Sequence, residues 1–531
     1  MNRPESTSGA SDTPWLVPAP RPTYPPLNED LEVDVAILGA GISGLSAAYY
    51  LSQEGRSVAV LEDGLVASGE TSRTTAHLAS ALDDRFHRLI QLHGADGAKL
   101  AYESHETAID EIERIVRKHA IDCSFQRLAG HLFVPPGESL DILDQELEAC
   151  REIGFKGVEK RSGVSLDSYD LGPCLLFPRQ GQFHPLQYLR GLAEAVVQRR
   201  GRIFERSHVD DFEAGDRIKI AVGNRGAVTA SAMVVATNSP IVSRVKIPLR
   251  LYAYRTYVVA MRIRKEAVNP GLYWDTADPY HYVRLQPMDD ATELLIVGGE
   301  DHKTGQPGDA SGDERYRRLE AWTRERIPQA AEVVYRWSGQ VMEPADALAF
   351  IGRYPGAGEN VFVITGDSGH GMTHGTIGGM VVRDLIIGRP SPWAGIYDPG
   401  RMRARALGEV AAENLNVVPQ YGKWVTPGEV GSVREVPAGE GRVLRKGLKK
   451  VAVYRDDQGQ IHKMSATCPH LGCIVGWNGT EKTWDCPCHG SRFSAEGRVL
   501  NGPANTDLAP ERKAPTRALP KTGGRRRSSR K

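Results

Sequence analysis

VDVAILGAGISGLSAAYYLSQEGRSVAVLE, residues 33–62, is the stretch on which the reading of the fold turns. Residues 33–38 are a short run rich in Val and Ile, suited to a strand buried on both faces, and Gly39, Gly41 and Gly44 follow at once. A helix over 45–54 then ends at Gly55, and a second strand over 57–61 closes on Glu62, 18 positions after Gly44. This is one complete βαβ unit with its glycines at the strand-to-helix turn, the context that separates a dinucleotide fingerprint from a glycine turn that merely fits a sheet. Gly39 permits the tight turn, Gly41 lets the backbone approach a pyrophosphate, and Gly44 lets helix and sheet pack closely. The helix N-terminus, with Ile42 and Ser43 in its first turn, stabilises the phosphate charge. Glu62 is placed to accept hydrogen bonds from the adenosine ribose, and an acid there disfavours a 2′-phosphate, so FAD or NAD is expected rather than NADP.

Outward from this unit, 531 residues predict about three domains. With 40% hydrophobic and 25% charged residues the composition is that of an ordinary globular chain with a sizeable core. Sixty-six basic and 66 acidic side chains leave a formal net charge of +0, so no global field draws in nucleic acid or an anionic membrane, and binding to either would have to be local. Residues 1–30 form a leader rich in Pro, Ser and Thr without the apolar run of a signal peptide. The 19 uncharged residues 35–53 are long enough to cross a bilayer, but they hold three Gly and read as strand, turn and helix. The expectation is a cytoplasmic protein with no integral membrane segment. Cys123, Cys150 and Cys174 are scattered, whereas Cys468, Cys473, Cys486 and Cys488 crowd into 21 residues, which reads as a metal site before a disulfide framework.

Apolar positions Leu100, Ile109, Ile112, Ile115 and Val116 predict an amphipathic helix over 94–120, and a further helix is expected over 139–153. Residues 202–236 alternate as strands joined by tight turns, and 296–300 and 361–365 read as buried strands. The helical pattern stops around 414–429, giving way to short strands such as 451–454 and 461–464 about a turn at 456–459. The stretch from 514, ending GGRRRSSRK, is expected to be disordered.

At this point the chain resembles the flavoproteins of the glycine/D-amino-acid oxidase superfamily. The resemblance rests on 33–51, on SGETSRTTAHL (68–78), on MVVATNSP (233–240) and on VFVITGDSGHGMTHGTIGG (361–379), and covers about residues 30–400. It implies FAD, with Thr71, Thr74, Thr75, Gly366, Asp367, Gly371, Met372 and Thr373 as flavin neighbours. The residues agree: the glycines of 366–375 allow close backbone approach to a ring, and the N–H groups opening the helix after Thr373 would stabilise a reduced flavin. Some members attach FAD covalently through a His where this chain has Arg73, with His77 four residues later, so non-covalent FAD is expected. No second GxGxxG offers an NAD(P)H domain.

Cys468-Pro-His470-Leu-Gly-Cys473 and Cys486-Pro-Cys488-His489-Gly490-Ser491 contain C-x-H and C-x-x-H with 15 residues between His470 and Cys486. Two thiolates on one iron and two imidazoles on the other make a Rieske [2Fe-2S] centre, for which Cys468, His470, Cys486 and His489 are the ligands expected. A structural zinc site using the same ligand types is the rival reading. The segment also resembles Rieske domains of the cytochrome bc type, including NGPAN (501–505) as a proline loop beside the cluster. That resemblance implies a Cys473–Cys488 disulfide and a hydrogen bond from Ser491 toward a cluster sulfur. A cytosolic disulfide is unusual, so free thiols remain the alternative. Where high-potential members have a Tyr, this chain has Phe493, which predicts a lower midpoint potential. After Leu508 no closing strand is evident.

The expected fold is therefore an α/β FAD-binding Rossmann-like domain with an α+β substrate domain, plus a small all-β Rieske domain at the C-terminus. The expected limits are a leader over 1–30 and the oxidoreductase over 31–400, with FAD-binding parts at about 31–82, 180–240 and 340–395 and substrate parts at about 83–179 and 241–339. A linker over 401–421, the Rieske domain over 422–512 and a basic tail over 513–531 complete the chain.

A two-electron flavin and a one-electron cluster on one chain suggest an FAD-dependent dehydrogenase, rather than an oxidase, that passes electrons from an amine or amino acid through flavin to the cluster and on to an external acceptor protein or quinone. On the substrate side, alternation puts Tyr280, Tyr282 and Arg284 on one strand face, where Arg284 could clamp a carboxylate, and His374 is a candidate acid/base. An NAD(P)H-driven reductase feeding an oxygenase, and a redox-sensing protein whose basic tail (Arg525, Arg526, Arg527, Arg530, Lys531) binds an acidic partner, are the competing readings.

Overall fold

The computed structural model describes residues 8–16, 22–166, 169–240, 247–308, 310–403 and 406–511; the basic tail and parts of the leader lie outside them. Strand Leu31–Leu38 is the centre of an eight-stranded sheet, parallel on one side to Val58–Leu61 and on the other to Ala227–Val235. Val361–Thr365 continues the parallel order beside Ala227–Val235, so the two sequence-distant glycine turns open at the same end of the sheet. All five residues of Val361–Thr365 and all four of Val58–Leu61 are buried, as continuous apolar runs in a parallel sheet should be. Helix Ile42–Gln53 packs on helix Gly371–Ile387 over this sheet. A Cβ on Gly44 would lie 1.9 Å from the Gly39 carbonyl oxygen, so only glycine permits this turn.

A second, nine-stranded and mostly antiparallel sheet centres on Leu251–Arg264, flanked by Thr292–Lys303 and Val333–Pro344, and runs on through His281–Pro287 to Gln126–Phe133 and Cys174–Gln182. The helical stretch Phe86–His119 breaks at the non-helical Gly94, so that its second part coincides with the amphipathic helix expected over 94–120, and it packs on helices Gly371–Ile387 and Asp141–Glu152. Helix Asp141–Glu152 matches the expectation closely.

The last helix, Leu407–Tyr421, runs through Pro419 and ends inside the range 414–429 where the helical pattern is expected to stop. One expectation on the C-terminal side is corrected: the chain closes after Leu508, because Pro510 pairs with Met464 and the Ser465 N–H donates to the Ala509 carbonyl. Between these limits lie a three-stranded sheet (Glu440–Lys446, Lys449–Arg455, Ile461–Ser465) and a four-stranded one (Gly476–Asn478, Thr483–Asp485, Arg492–Ser494, Val499–Asn501), all antiparallel. Among the described residues no helix is long and apolar enough to cross a membrane.

Candidate functional site

A cavity of about 620 Å³ opens where the two glycine turns meet, between the parallel sheet and the second sheet. Gly39, Gly41, Ile42, Ser43, Glu62, Thr71, Thr74, Thr75, Gly366, Asp367, Gly371 and Met372 line it. Gly44 does not, since it lies beneath the turn, and Thr373 turns its hydroxyl away to His105 Nδ1 at 2.8 Å. Glu62 accepts the Ala40 N–H at 2.7 Å and the Gly64 N–H at 3.0 Å, and burial pushes its carboxyl up to about 7. Asn238 Nδ2 and Asp367 Oδ1, both on residues of the wall, are buried without a hydrogen-bond partner among the described residues. Unmet donors and acceptors beside glycine turns and a helix N-terminus fit a large polar ligand with phosphates and a ring, as FAD is.

On the substrate side, strand alternation carries Tyr280 and Tyr282 to the wall, the Tyr280 hydroxyl donating to Asp83 at 3.3 Å and that of Tyr282 lying 3.0 Å from Thr256 Oγ1. Arg284 is not on that wall. It is 1% exposed and donates to the carbonyls of Thr75 (2.8 Å), Ala76 (3.1 Å) and Phe183 (3.2 Å) and to the Gln286 side chain, leaving little to clamp a carboxylate. His374 reaches the cavity but is buried, with Nδ1 bonded to the Asp367 carbonyl at 2.8 Å and Nε2 facing His105 Nε2 at 3.1 Å. Burial and neighbouring His370 push it down to about 3, so it is neutral and a poor proton carrier.

Sequence reasoning missed the other titratable groups of this wall. His370 Nε2 accepts the Asp83 N–H at 2.9 Å; burial opposes its charge, but Asp83 and Asp84 raise its pKa. Ser368 donates to Glu343 at 2.5 Å and lies 3.1 Å from Asp84. Burial, reinforced by Asp84, pushes Glu343 well above the ordinary carboxylate range. Asp301 is raised to about 7 by burial, its Oδ1 unpartnered. His370 and Ser368 fall inside the quoted glycine-rich turn; the acids come from three other places in the chain and leave no local signal.

At the second centre Cys468, Cys486 and His489 are buried and His470 is half-buried. The two cysteine side chains lie within hydrogen-bonding reach of each other, which lowers Cys468 to about 7, and the Ser491 hydroxyl adds to that effect. The His470 and His489 rings meet edge to face at 5.0 Å, and His489 Nδ1 is buried without a partner. Cys473 and Cys488 are joined in a disulfide. The sulfurs of Cys473, Cys486 and Cys488 also lie within 4.8 Å of one another, but the disulfide leaves Cys486 as the single thiol of that group. Two free thiols and two facing imidazoles fit a Cys₂His₂ [2Fe-2S] cluster. The Ala504 N–H donates to Ser491 Oγ at 3.0 Å, fixing the proline loop against the second cluster loop.

The two centres share one interface. Val499, Leu500, Asn501, Gly502, Ala504 and Asn505, on and around the proline loop, line the first cavity. Gln340, on the cavity wall, donates from Nε2 to the Gly490 carbonyl at 3.0 Å, beside His489. Gly490 adopts φ +76°, and a Cβ there would meet Ala253 at 2.2 Å, so the loop sits directly on the second sheet. Arg492 pairs with Glu70 at 3.2 Å, and Arg73, 2% exposed, faces Glu481 at 3.7 Å and donates to the Gly9 carbonyl at 2.8 Å.

Comparison with known proteins gives the same two parts. Residues 34–385 match the family model for FAD dependent oxidoreductase (DAO), and residues 426–512 match that for the Rieske [2Fe-2S] domain. YhfW of Bacillus subtilis (strain 168), whose name describes a Rieske 2Fe-2S iron-sulfur protein, is 32% identical over 93% of this chain and 96% of its own length. Gamma-glutamylputrescine oxidoreductase of Escherichia coli (strain K12) is 25% identical over 68% of this chain and 85% of its own. Among solved structures, glycine oxidase from Geobacillus kaustophilus superposes with a TM-score of 0.59 at 18% identity, covering 70% of this chain and 99% of that one, a likeness of fold.

Proposed function

This chain belongs to the FAD dependent oxidoreductase (DAO) family and carries a Rieske [2Fe-2S] domain, an enzyme that binds FAD and a [2Fe-2S] cluster, and on that premise we propose that it is a dehydrogenase for an amine or amino acid that delivers electrons to an external acceptor through the cluster. When bound, FAD supplies two-electron oxidation of the carbon beside nitrogen and the cluster supplies one-electron transfer. In this reading Gly39, Gly41, Ile42, Ser43, Glu62, Thr71, Thr74 and Thr75 hold the dinucleotide, while Gly366, Asp367, Gly371 and Met372 close over its ring. Cys468, His470, Cys486 and His489 hold the cluster.

The observation that carries the proposal is the shared interface: the proline loop lines the flavin cavity, and Gln340 joins the cavity wall to the loop bearing His489. The chain's own residues then have distinct tasks. Tyr280 and Tyr282 shape the substrate side, and Asp83 favours a cationic amine. Asp301 is placed to accept the proton that a bound ammonium must lose before its neighbouring carbon is oxidised. With Arg284 occupied by backbone carbonyls, a free amine suits the cavity better than an α-amino acid carboxylate held by that side chain.

The test is anaerobic stopped-flow absorbance of the purified holoprotein against a panel of amines, amino acids and NAD(P)H, with flavin bleaching and cluster reduction followed separately. An amine that bleaches flavin first, with the cluster following, is the expected result. Reduction by NAD(P)H alone would make the protein a reductase and overturn the proposal.

A further inference from the structure

Half of the large apolar side chains exposed on the described surface fall between residues 407 and 471. Leu407, Leu415, Tyr421, Val425, Leu448 and Leu471 are all exposed, Val425 by 76% and Leu448 by 87%. The hydrogen bonds place the last four together. The Tyr421 hydroxyl donates to the Leu471 carbonyl at 2.9 Å and Trp424 Nε1 to the Gly472 carbonyl at 3.0 Å, which pins this turn to the first cluster loop. Arg445 donates to the Val425 carbonyl at 2.9 Å and Lys450 to the Thr426 carbonyl at 2.7 Å, which pins its other end to the hairpin whose tip is Leu448. Leu407 and Leu415 are exposed on the helix that leads to Tyr421.

Around the hairpin and the turn, cations outnumber acids. Leu448 sits in Arg445-Lys446-Gly447-Leu448-Lys449-Lys450, and Lys423 lies between Tyr421 and Val425. Arg445 and Lys450 are held by backbone carbonyls rather than carboxylates. The acids that face the group are Glu429, and Glu511, which takes Lys446 at 2.8 Å. The described chain ends at Glu511 beside that lysine, and the sequence beyond it, 512–531, holds nine Lys and Arg and no Asp or Glu. An uncharged molecule overall thus concentrates cations around protruding Leu, Val and Tyr side chains. Cations alone would suit any polyanion. Apolar tips projecting from a hairpin, a turn and a helix end are suited to enter the boundary between headgroups and acyl chains.

We propose that this face docks on an anionic lipid bilayer, with Leu448, Val425 and Tyr421 entering the headgroup region and Lys446 and Lys449 on the phosphates. Docking would turn the exposed edge of the first cluster loop, His470 and Leu471, toward the membrane. The inference is independent of which donor the flavin cavity takes.

The experiment is co-sedimentation of the full-length holoprotein with phosphatidylcholine vesicles, with and without phosphatidylglycerol. The protein should sediment with the anionic vesicles and stay in solution with the neutral ones. Lys446→Gln with Lys449→Gln should weaken binding roughly thirtyfold. Leu448→Asn, which leaves the charge unchanged, should weaken it roughly fivefold. Unaltered flavin and cluster absorbance would show that each variant is folded. Failure to bind anionic vesicles, equal binding to neutral ones, or full retention by the lysine variant would overturn the proposal. Indifference to Leu448→Asn together with equally tight binding to heparin would mean that the face reads charge alone, as for an acidic macromolecule, and would also overturn it.

Discussion

Phe493 is fully buried in the core that contains Cys468 and Cys486, and it brings no hydroxyl to them. A hydrogen bond to a cluster sulfur stabilises the reduced state, so Phe493→Tyr should raise the midpoint potential by about 40 mV, the equivalent of one net hydrogen bond of about 1 kcal/mol on a one-electron couple. Potentiometric titration followed by electron paramagnetic resonance reads this directly, and an unchanged or lowered potential would refute it. Asp301 supports a second prediction. Burial raises it to about 7, so it is protonated below that pH and able to take a proton only above it. Flavin reduction by the amine donor should therefore rise as pH increases through about 7, and Asp301→Asn should remove that limb and slow reduction by roughly a hundredfold. A limb that survives in the variant would assign the base elsewhere. The contrast with Arg284 shows how far residue-level reading goes: alternation correctly carries Tyr280 and Tyr282 to the cavity, but it cannot reveal that two residues further along the face closes over with the carbonyls of 75, 76 and 183.

Elements were legible where their signal is local. The βαβ unit announces itself through a strand, a glycine turn and a helix in 30 residues, and the cluster loops through ligand spacing. What failed depends on partners far along the chain. Pairing at 509–511 involves too few residues to show a pattern, and it exists because Ile461–Ser465 offers a free edge. The end of helix Leu407–Tyr421 falls where the pattern predicts, but the pattern does not show that Tyr421 and Trp424 hold that end on the cluster loop. Strand Val333–Pro344 was not anticipated at all, although it carries Gln340, whose backbone N–H meets Glu70 at 2.7 Å and whose side chain meets Gly490. Gln340→Leu leaves the buried Gly490 carbonyl without that donor and loosens one strand from one loop. Flavin bleaching by donor should keep its rate while cluster reduction slows severalfold, both read in the same stopped-flow trace. Equal slowing of both phases would instead place Gln340 in substrate handling.

On the scale of the whole molecule, six buried or nearly buried charges join the two parts of the chain. Arg73, Arg255 and Glu70 come from the flavin side, and Glu481, Asp485 and Arg492 from the cluster side, with Arg255 facing Asp485 at 3.8 Å and Arg492 facing both Asp485 at 3.3 Å and Glu70 at 3.2 Å. Glu481 is the hub: it faces Arg73 and accepts from the hydroxyls of Ser338 at 2.5 Å and Ser11 at 2.7 Å, so residues near the N-terminus are tied into the same knot. No sequence pattern reveals pairs separated by hundreds of residues. Burial alone would raise the Glu481 carboxyl, but Arg73, Arg255 and Arg492 overcome it and hold it down at about 2. A carboxyl lowered by folding contributes stability that is fully present above its unfolded value near 4.5 and is lost as pH falls through about 2. The two parts should thus unfold together at neutral pH and separate on acidification below about 4.5. Glu481→Gln leaves buried guanidinium groups short of an anion, at a cost of about 3–5 kcal/mol, and should produce the separated behaviour already at pH 7. Calorimetry combined with visible circular dichroism of the cluster distinguishes the cases. Two transitions in the variant, with the cluster signal lost in the earlier one, are expected; a single transition at the wild-type temperature would mean that apolar contact, not this network, fixes the cluster against the flavin cavity.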